Sequence, residues 1–399
     1  MTKTKLSAAI CVLASMGATS ALAQTQAAAI KLGGGVNFVP SVNLDVQYDD
    51  NVTSAERDET ESWVTILNPN FELSAEGDKS AYRLNYSVTQ GEYYDSDDDN
   101  FTDHEITAEA AFEFTARHRL SVFTNYLDGH EARGQGFSQG AGDVLSEPDQ
   151  YQDTDVKAIY SFGAETAKGK LDLELGTRDR DFEGGERTES RDRGTDYGTV
   201  TFRYNVGGRT ELIAEVAQRD IAYDVTAVGA DELDSTEIDY LVGITWEGTA
   251  KTTGTVKVGH REKNFDSASR EDFDGARWEA NITWTPRTYS TFSFTTSRKS
   301  EETNGSGDFI DTDTHSVSWN HAWAQRLSST LSYNYSDKTY EGSVDGREEE
   351  LNGVNARLDY QLRRWLNVNA GVTYTDQDST AAGSSYERTL FVVGFQASL

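Results

Sequence analysis

Apolar residues recur at every second position along nearly the whole chain. Early examples are Val42, Leu44, Val46 and Tyr48, then Tyr82, Leu84, Tyr86 and Val88. Ile238, Tyr240, Val242, Ile244 and Trp246 carry the pattern through the middle, and Val354, Ala356, Leu358, Tyr360 and Leu362 toward the end. A period of two places alternate side chains on opposite faces of a β-strand. No helical three-four spacing competes over a comparable length. The last stretch, from Leu390 to Leu399, sets Phe391, Val393, Phe395 and Leu399 on one face, and Val392, Gly394, Gln396 and Ser398 on the other.

The faces between the apolar residues are charged. They hold Asp45, Arg83, Asp172, Glu174, Arg178, Arg203, Asp239, Lys257, Arg261, Arg357 and Asp359. A soluble β-sandwich would bury one face of each strand in a core. Here the repeat runs on without domain breaks. Short turns near Gly77, Arg117, Lys168, Gly208, Thr249, Arg287, Gln325 and Arg364 alternate with longer acidic loops, such as those near Asp95–Asn100 and Gly134–Gln150. Eight turns and about nine loops predict an all-β, transmembrane, antiparallel up-and-down barrel of about 18 strands (16–18). In hydrocarbon every backbone group must pair internally, so the sheet must close. The apolar stripe would then face lipid and the charged stripe a watery lumen, with the eleven charged residues above as pore-lining candidates.

The N-terminus has the grammar of an export signal. Lys3 and Lys5 precede an apolar run from Leu6 to Ala18, and Ala21-Leu22-Ala23 forms a cleavage site. The expected division is a cleaved signal over 1–23, a periplasmic segment over 24–40 and one barrel over 41–399. The only cysteine, Cys11, lies in the signal, so the mature protein is expected to have no disulfides. Mean hydropathy is negative, and no later segment resembles a membrane helix. With 19 Tyr, 17 Phe and 7 Trp, the chain has aromatics enough for interfacial girdles. Phe114, Phe162, Tyr204, Trp246, Trp284 and Trp323 stand just before short turns.

A net charge of −31 argues against nucleic-acid partners and predicts a preference for cations or neutral solutes. The six histidines show no zinc-type spacing, and no catalytic motif appears. Asp103-His104, close to Asp97-Asp98-Asp99, is the one local hook for hydrolysis; carboxylates from other strands cannot be placed around it, and a solvated acidic loop is the better reading. No metal site, cofactor or enzymatic role is expected. Weak Ca²⁺ or Mg²⁺ binding is left open for the acidic stretches at Asp95–Asp99 and at Asp308, Asp311 and Asp313. The Gly-rich stretch Gly134–Gly140 either folds inward to constrict the pore or forms an external tip.

The stretch PSVNLDVQYDDNV, the acidic hairpins and the closing TLFVVGFQASL resemble the β-barrel porin family encoded in polysaccharide-export and related operons. The resemblance implies a single barrel in the outer membrane of a Gram-negative bacterium. It brings no catalytic residues and suggests a link to exopolysaccharide export, while the charged face repeated on so many strands predicts a channel passing small hydrophilic solutes. Expected partners are outer-membrane lipid, lipopolysaccharide and the barrel-assembly machinery, which would read Phe391, Val393, Phe395 and Leu399 as a C-terminal signal. Leu399 departs from the Phe or Trp that commonly ends such chains, and its side chain is expected to face lipid at the periplasmic rim. A structural or adhesive surface barrel, binding cations or partners through its acidic loops, is the alternative.

Overall fold

A computed structural model describes residues 29–226, 229–249 and 251–398. The expected signal peptide and Leu399 lie outside the described residues. The strands are β1 (Ile30–Gly33), β2 (Val36–Asp49), β3 (Ser62–Glu76), β4 (Ser80–Tyr93), β5 (Phe101–Thr115) and β6 (His118–Glu131). There follow β7 (Asp149–Phe162), β8 (Gly169–Phe182), β9 (Arg193–Gly207), β10 (Thr210–Tyr223), β11 (Ser235–Thr249), β12 (Thr252–Phe265) and β13 (Phe273–Arg287). The last are β14 (Ser290–Glu302), β15 (Phe309–Ala324), β16 (Leu327–Glu341), β17 (Glu348–Arg363), β18 (Leu366–Ser379) and β19 (Tyr386–Ser398).

From β2 to β19 every strand pairs antiparallel with its chain neighbours, and β19 returns to β2. The result is a closed barrel of 18 strands, as the alternation predicts. The seam runs from Leu390 opposite Asp49 to Ser398 opposite Ser41. Its apolar face pairs Phe391 with Tyr48, Val393 with Val46 and Phe395 with Leu44. β2 starts at Val36, ahead of residue 41, and its first residues pair with β1 where β19 does not reach. The N-terminal hairpin thus covers the short edge that the closing strand leaves open.

The packing is inside-out. Val42, Leu44, Val46, Phe391, Val393 and Phe395 are 37–53 % exposed on the outer face. Among the described residues the buried apolar cluster is only Ala81 with Ala111. Buried positions are instead mostly polar, including Lys263, Glu237, Asp239 and Arg261. Such a surface is stable only where lipid covers the outside. Phe114, Phe162, Tyr204, Trp284 and Trp323 are exposed near the short turns, forming an outer aromatic belt. His315 stacks on Tyr335, and His321 packs tilted against Trp323, in the same outer layer.

Within the barrel one ladder is cut short at its loop end. β13 and β14 pair from Arg287 opposite Ser290 to Trp278 opposite Arg298, and go no further. Above Arg298, β14 stays paired with β15 and reaches past β13 to the inner face of β10–β12. The Arg261 Nη1 donates to Ser300 Oγ at 2.9 Å, and Lys263 Nζ lies 2.8 Å from Glu302 Oε1. The Tyr223 hydroxyl also donates to Glu302, at 2.8 Å. This inward arm is why Lys263 is fully buried.

Close strand approach also fixes Gly259 of β12. A Cβ there would lie 1.7 Å from the backbone oxygen of Tyr240. Gly259→Val is expected to destabilise the barrel by about 1–3 kcal/mol, the usual cost of overpacking. Urea unfolding in lipid vesicles, followed by tryptophan fluorescence, measures it; an unchanged midpoint would contradict the register described.

Candidate functional lumen

The eleven charged candidates meet one another, or nearby charges, nearly all of them across strands and Arg357 with Asp359 along β17. Arg203 Nε donates to Asp172 at 2.9 Å, and Arg178 Nη2 to Asp153 at 2.8 Å. Glu174 sits 3.9 Å from Lys157, and Arg83 lies 3.6 Å from Glu109. Lys257 bridges Glu215 at 2.8 Å and Glu279 at 2.6 Å. Arg261 holds Asp239 through two hydrogen bonds of 2.7 and 3.0 Å. Arg357 donates to Asp359 at 2.9 Å, with Asp45 nearby. Opposite charges facing across a strand pair stabilise a sheet and reduce the cost of lining it with ions.

A cavity of about 1020 Å³ lies in the upper lumen, toward the long loops. Of the eleven candidates only Glu174 and Arg178 line it. Arg180, Arg191, Arg193, Arg219, Arg277, Lys338 and Arg388 line it too, and were not singled out from the sequence. Arg180 had a readable signal: it is two residues beyond Arg178, on the same face of β8. Arg191 and Arg193 had none, because the acidic run before them reads as an outer loop.

The loop over 132–148 folds inward. A Cβ on Gly134, whose φ is +78°, would lie 1.6 Å from the backbone oxygen of Thr53. Gln139 Nε2 donates to Glu349 at 2.8 Å, and Asn304 Nδ2, at the tip of the β14–β15 arm, donates to Gly136 O at 3.2 Å. The Phe137 ring lies between Arg187 and Arg191, with centroid distances of 5.8 and 5.7 Å. Arg191 is in turn clamped on Glu131 by two hydrogen bonds of 2.8 and 2.7 Å. Loop and arm therefore meet across the lumen and narrow it. Of the two sequence readings of Gly134–Gly140, the structure has the inward one.

The base of this loop is tied to its neighbour. Arg133 donates to the two carboxylate oxygens of Asp99 at 2.8 and 2.5 Å. The bond to Asp99 raises the Arg133 pKa further above its ordinary value. Two more acids at the loop end are also held by arginines: Asp308 by Arg270 and, near the start of β15, Asp311 by Arg298. Asp103 and His104 do not act together. Asp103 accepts from His130 Nδ1 at 2.8 Å, whereas His104 Nδ1 meets the Tyr86 hydroxyl at 3.0 Å.

Comparison with known proteins follows the same lines. The family described as "Putative beta-barrel porin 2" matches residues 26–399. Among curated proteins no sequence matches the chain. The outer membrane protein OpdK of Pseudomonas aeruginosa is similar in fold, with a TM-score of 0.51 at 14% identity over 91% of this chain and 99% of that one. OccK3 (OpdO) of the same organism gives a TM-score of 0.50 at 14% identity, over 91% and 96% of the two chains.

Gly134→Val is expected to push the loop off its seat on Thr53 and expose Arg133. Trypsin should then cut after Arg133 about tenfold faster or more than in the native barrel, since cleavage tracks local opening. Equal cleavage rates would mean that the loop is not anchored there.

Proposed function

The chain belongs to this porin family, and from that premise we propose that it is a passive channel for small hydrophilic solutes in a Gram-negative outer membrane. The observation that carries the reading is the cavity inside a closed barrel, narrowed but lined mostly by charged and hydrogen-bonding groups. Water and solutes cross such a wall without breaking the sheet, because every strand faces lipid on one side and the lumen on the other. The exposed outer stripe supplies the lipid contact, and lipopolysaccharide would flank the loop end. Phe391, Val393 and Phe395, exposed on the seam strand, would be the residues read during assembly before β2 covers that edge.

Exopolysaccharide export is a narrower form of the same idea and rests on the family resemblance. For a polymer chain, loop 132–148 and the β14–β15 arm would have to swing aside. An adhesive role for the acidic loops draws less support, since Asp99, Asp308 and Asp311 are already engaged by arginines. We propose no catalytic role and no cofactor; weak external binding of Ca²⁺ or Mg²⁺ falls to acids outside those ion pairs.

Planar-bilayer recording of the purified barrel tests the channel. Discrete conductance steps are expected, and deletion of residues 135–142 should raise the unit conductance about twofold by removing the constriction. A barrel that folds but passes no current would overturn the reading.

A further inference from the structure

The net charge of the chain points to cations, but the cavity does not. Its lining holds ten basic side chains against seven acidic ones, in a protein whose net charge is −31. Carboxylates neutralise several of these bases, in one case one acid to two arginines. Arg178 and Arg180 share Asp153. Arg219 pairs with Glu237 and Arg277 with Glu279, both also approaching Asp239, and Arg388 is paired with Asp49. The decisive residues are those outside any close ion pair; the acid whose charge reaches Arg193, Glu302, is itself held by Lys263 and Tyr223. Among the described residues no carboxylate lies within 4.0 Å of Arg193 or Lys338. Arg193 donates only to the backbone oxygen of Arg191, at 2.9 Å, and rests over the Tyr223 ring. On the acidic side, Asp155 alone of the lining lacks a cation within that distance, and it is occupied by the Tyr197 hydroxyl at 2.6 Å.

We propose that this cavity is an oxyanion site, in which Arg193 on β9 and Lys338 on β16 hold the carboxylate or phosphate groups of small anionic solutes. The two cations stand seven strands apart around the wall and face one cavity. Arg193 keeps most of its planar fork of donors unused, the geometry that suits a carboxylate or phosphate. Thr195 and Tyr197 continue its face along β9 and add hydroxyls to the lining. Fixed positive charge in a narrow, low-dielectric passage concentrates anions, while acids on the outer loops keep the particle soluble. The proposal rests on the channel reading for transport, but not for binding.

The test separates the two. Phosphate binding to the folded full-length barrel in detergent micelles is measured by titration calorimetry, and ion preference by reversal potential in a KCl gradient. The native barrel should bind inorganic phosphate and prefer Cl⁻ over K⁺. Arg193→Gln with Lys338→Gln should weaken phosphate binding about tenfold and lower the Cl⁻/K⁺ permeability ratio about threefold. Unheated gel mobility checks that the variant is folded; if the double variant does not fold, each single substitution is measured instead. Phosphate binding without conductance would sustain the site and overturn the channel. Conductance with K⁺ preference and no phosphate binding would overturn the site and sustain the channel.

Discussion

Everything in this molecule follows from the need to pair backbone groups where no water can. A strand exposed to hydrocarbon has no solvent to satisfy its amides and carbonyls, so the last strand must find the first. The seam from Asp49 to Ser41 does this, and the hairpin of β1 takes over where β19 stops. Once the sheet is closed, apolar side chains serve outside and polar ones inside. The lumen wall then consists of ion pairs, because charges are affordable there only when paired or wet.

The distribution of charge has two levels. Acids dominate the chain, while bases are gathered at the cavity, so the sign that a solute meets depends on how far it has entered. Arg191, Phe137 and Glu131 show how the narrow part is held in shape. A guanidinium packed against rings and fixed by a carboxylate is rigid, and the loop that carries Phe137 is rigid with it. Among the described residues nothing comparable fixes Lys338.

The barrel was legible because the outer face must be apolar wherever lipid touches it, and Val42-Leu44-Val46 or Phe391-Val393-Phe395 cannot disguise that. Boundaries were legible to within a residue or two at the turns. The sequence reading fell short where strands outrun the bilayer. Glu302 and Asp311 belong to strands, yet their acidic surroundings read as loop, because above the hydrocarbon neither face needs to be apolar. The inward arm depends on Glu302 meeting Lys263 and Tyr223, which are 39 and 79 residues away in the chain. No local pattern announces such contacts. The same holds for Arg191 and Arg193, whose place in the cavity is set by the ends of β8 and β9 and not by their neighbours in sequence.

The short ladder between β13 and β14 gives the wall a mechanical character of its own. A complete ring would share a load on any loop among all its strands. This one is a hoop with a notch cut down from its loop end, and the notch stops at Trp278 and Arg298. A pull on the arm is concentrated at that rung, where the guanidinium lies over the indole at 5.6 Å. The pair sits where a tear would have to begin, and acts as its stop.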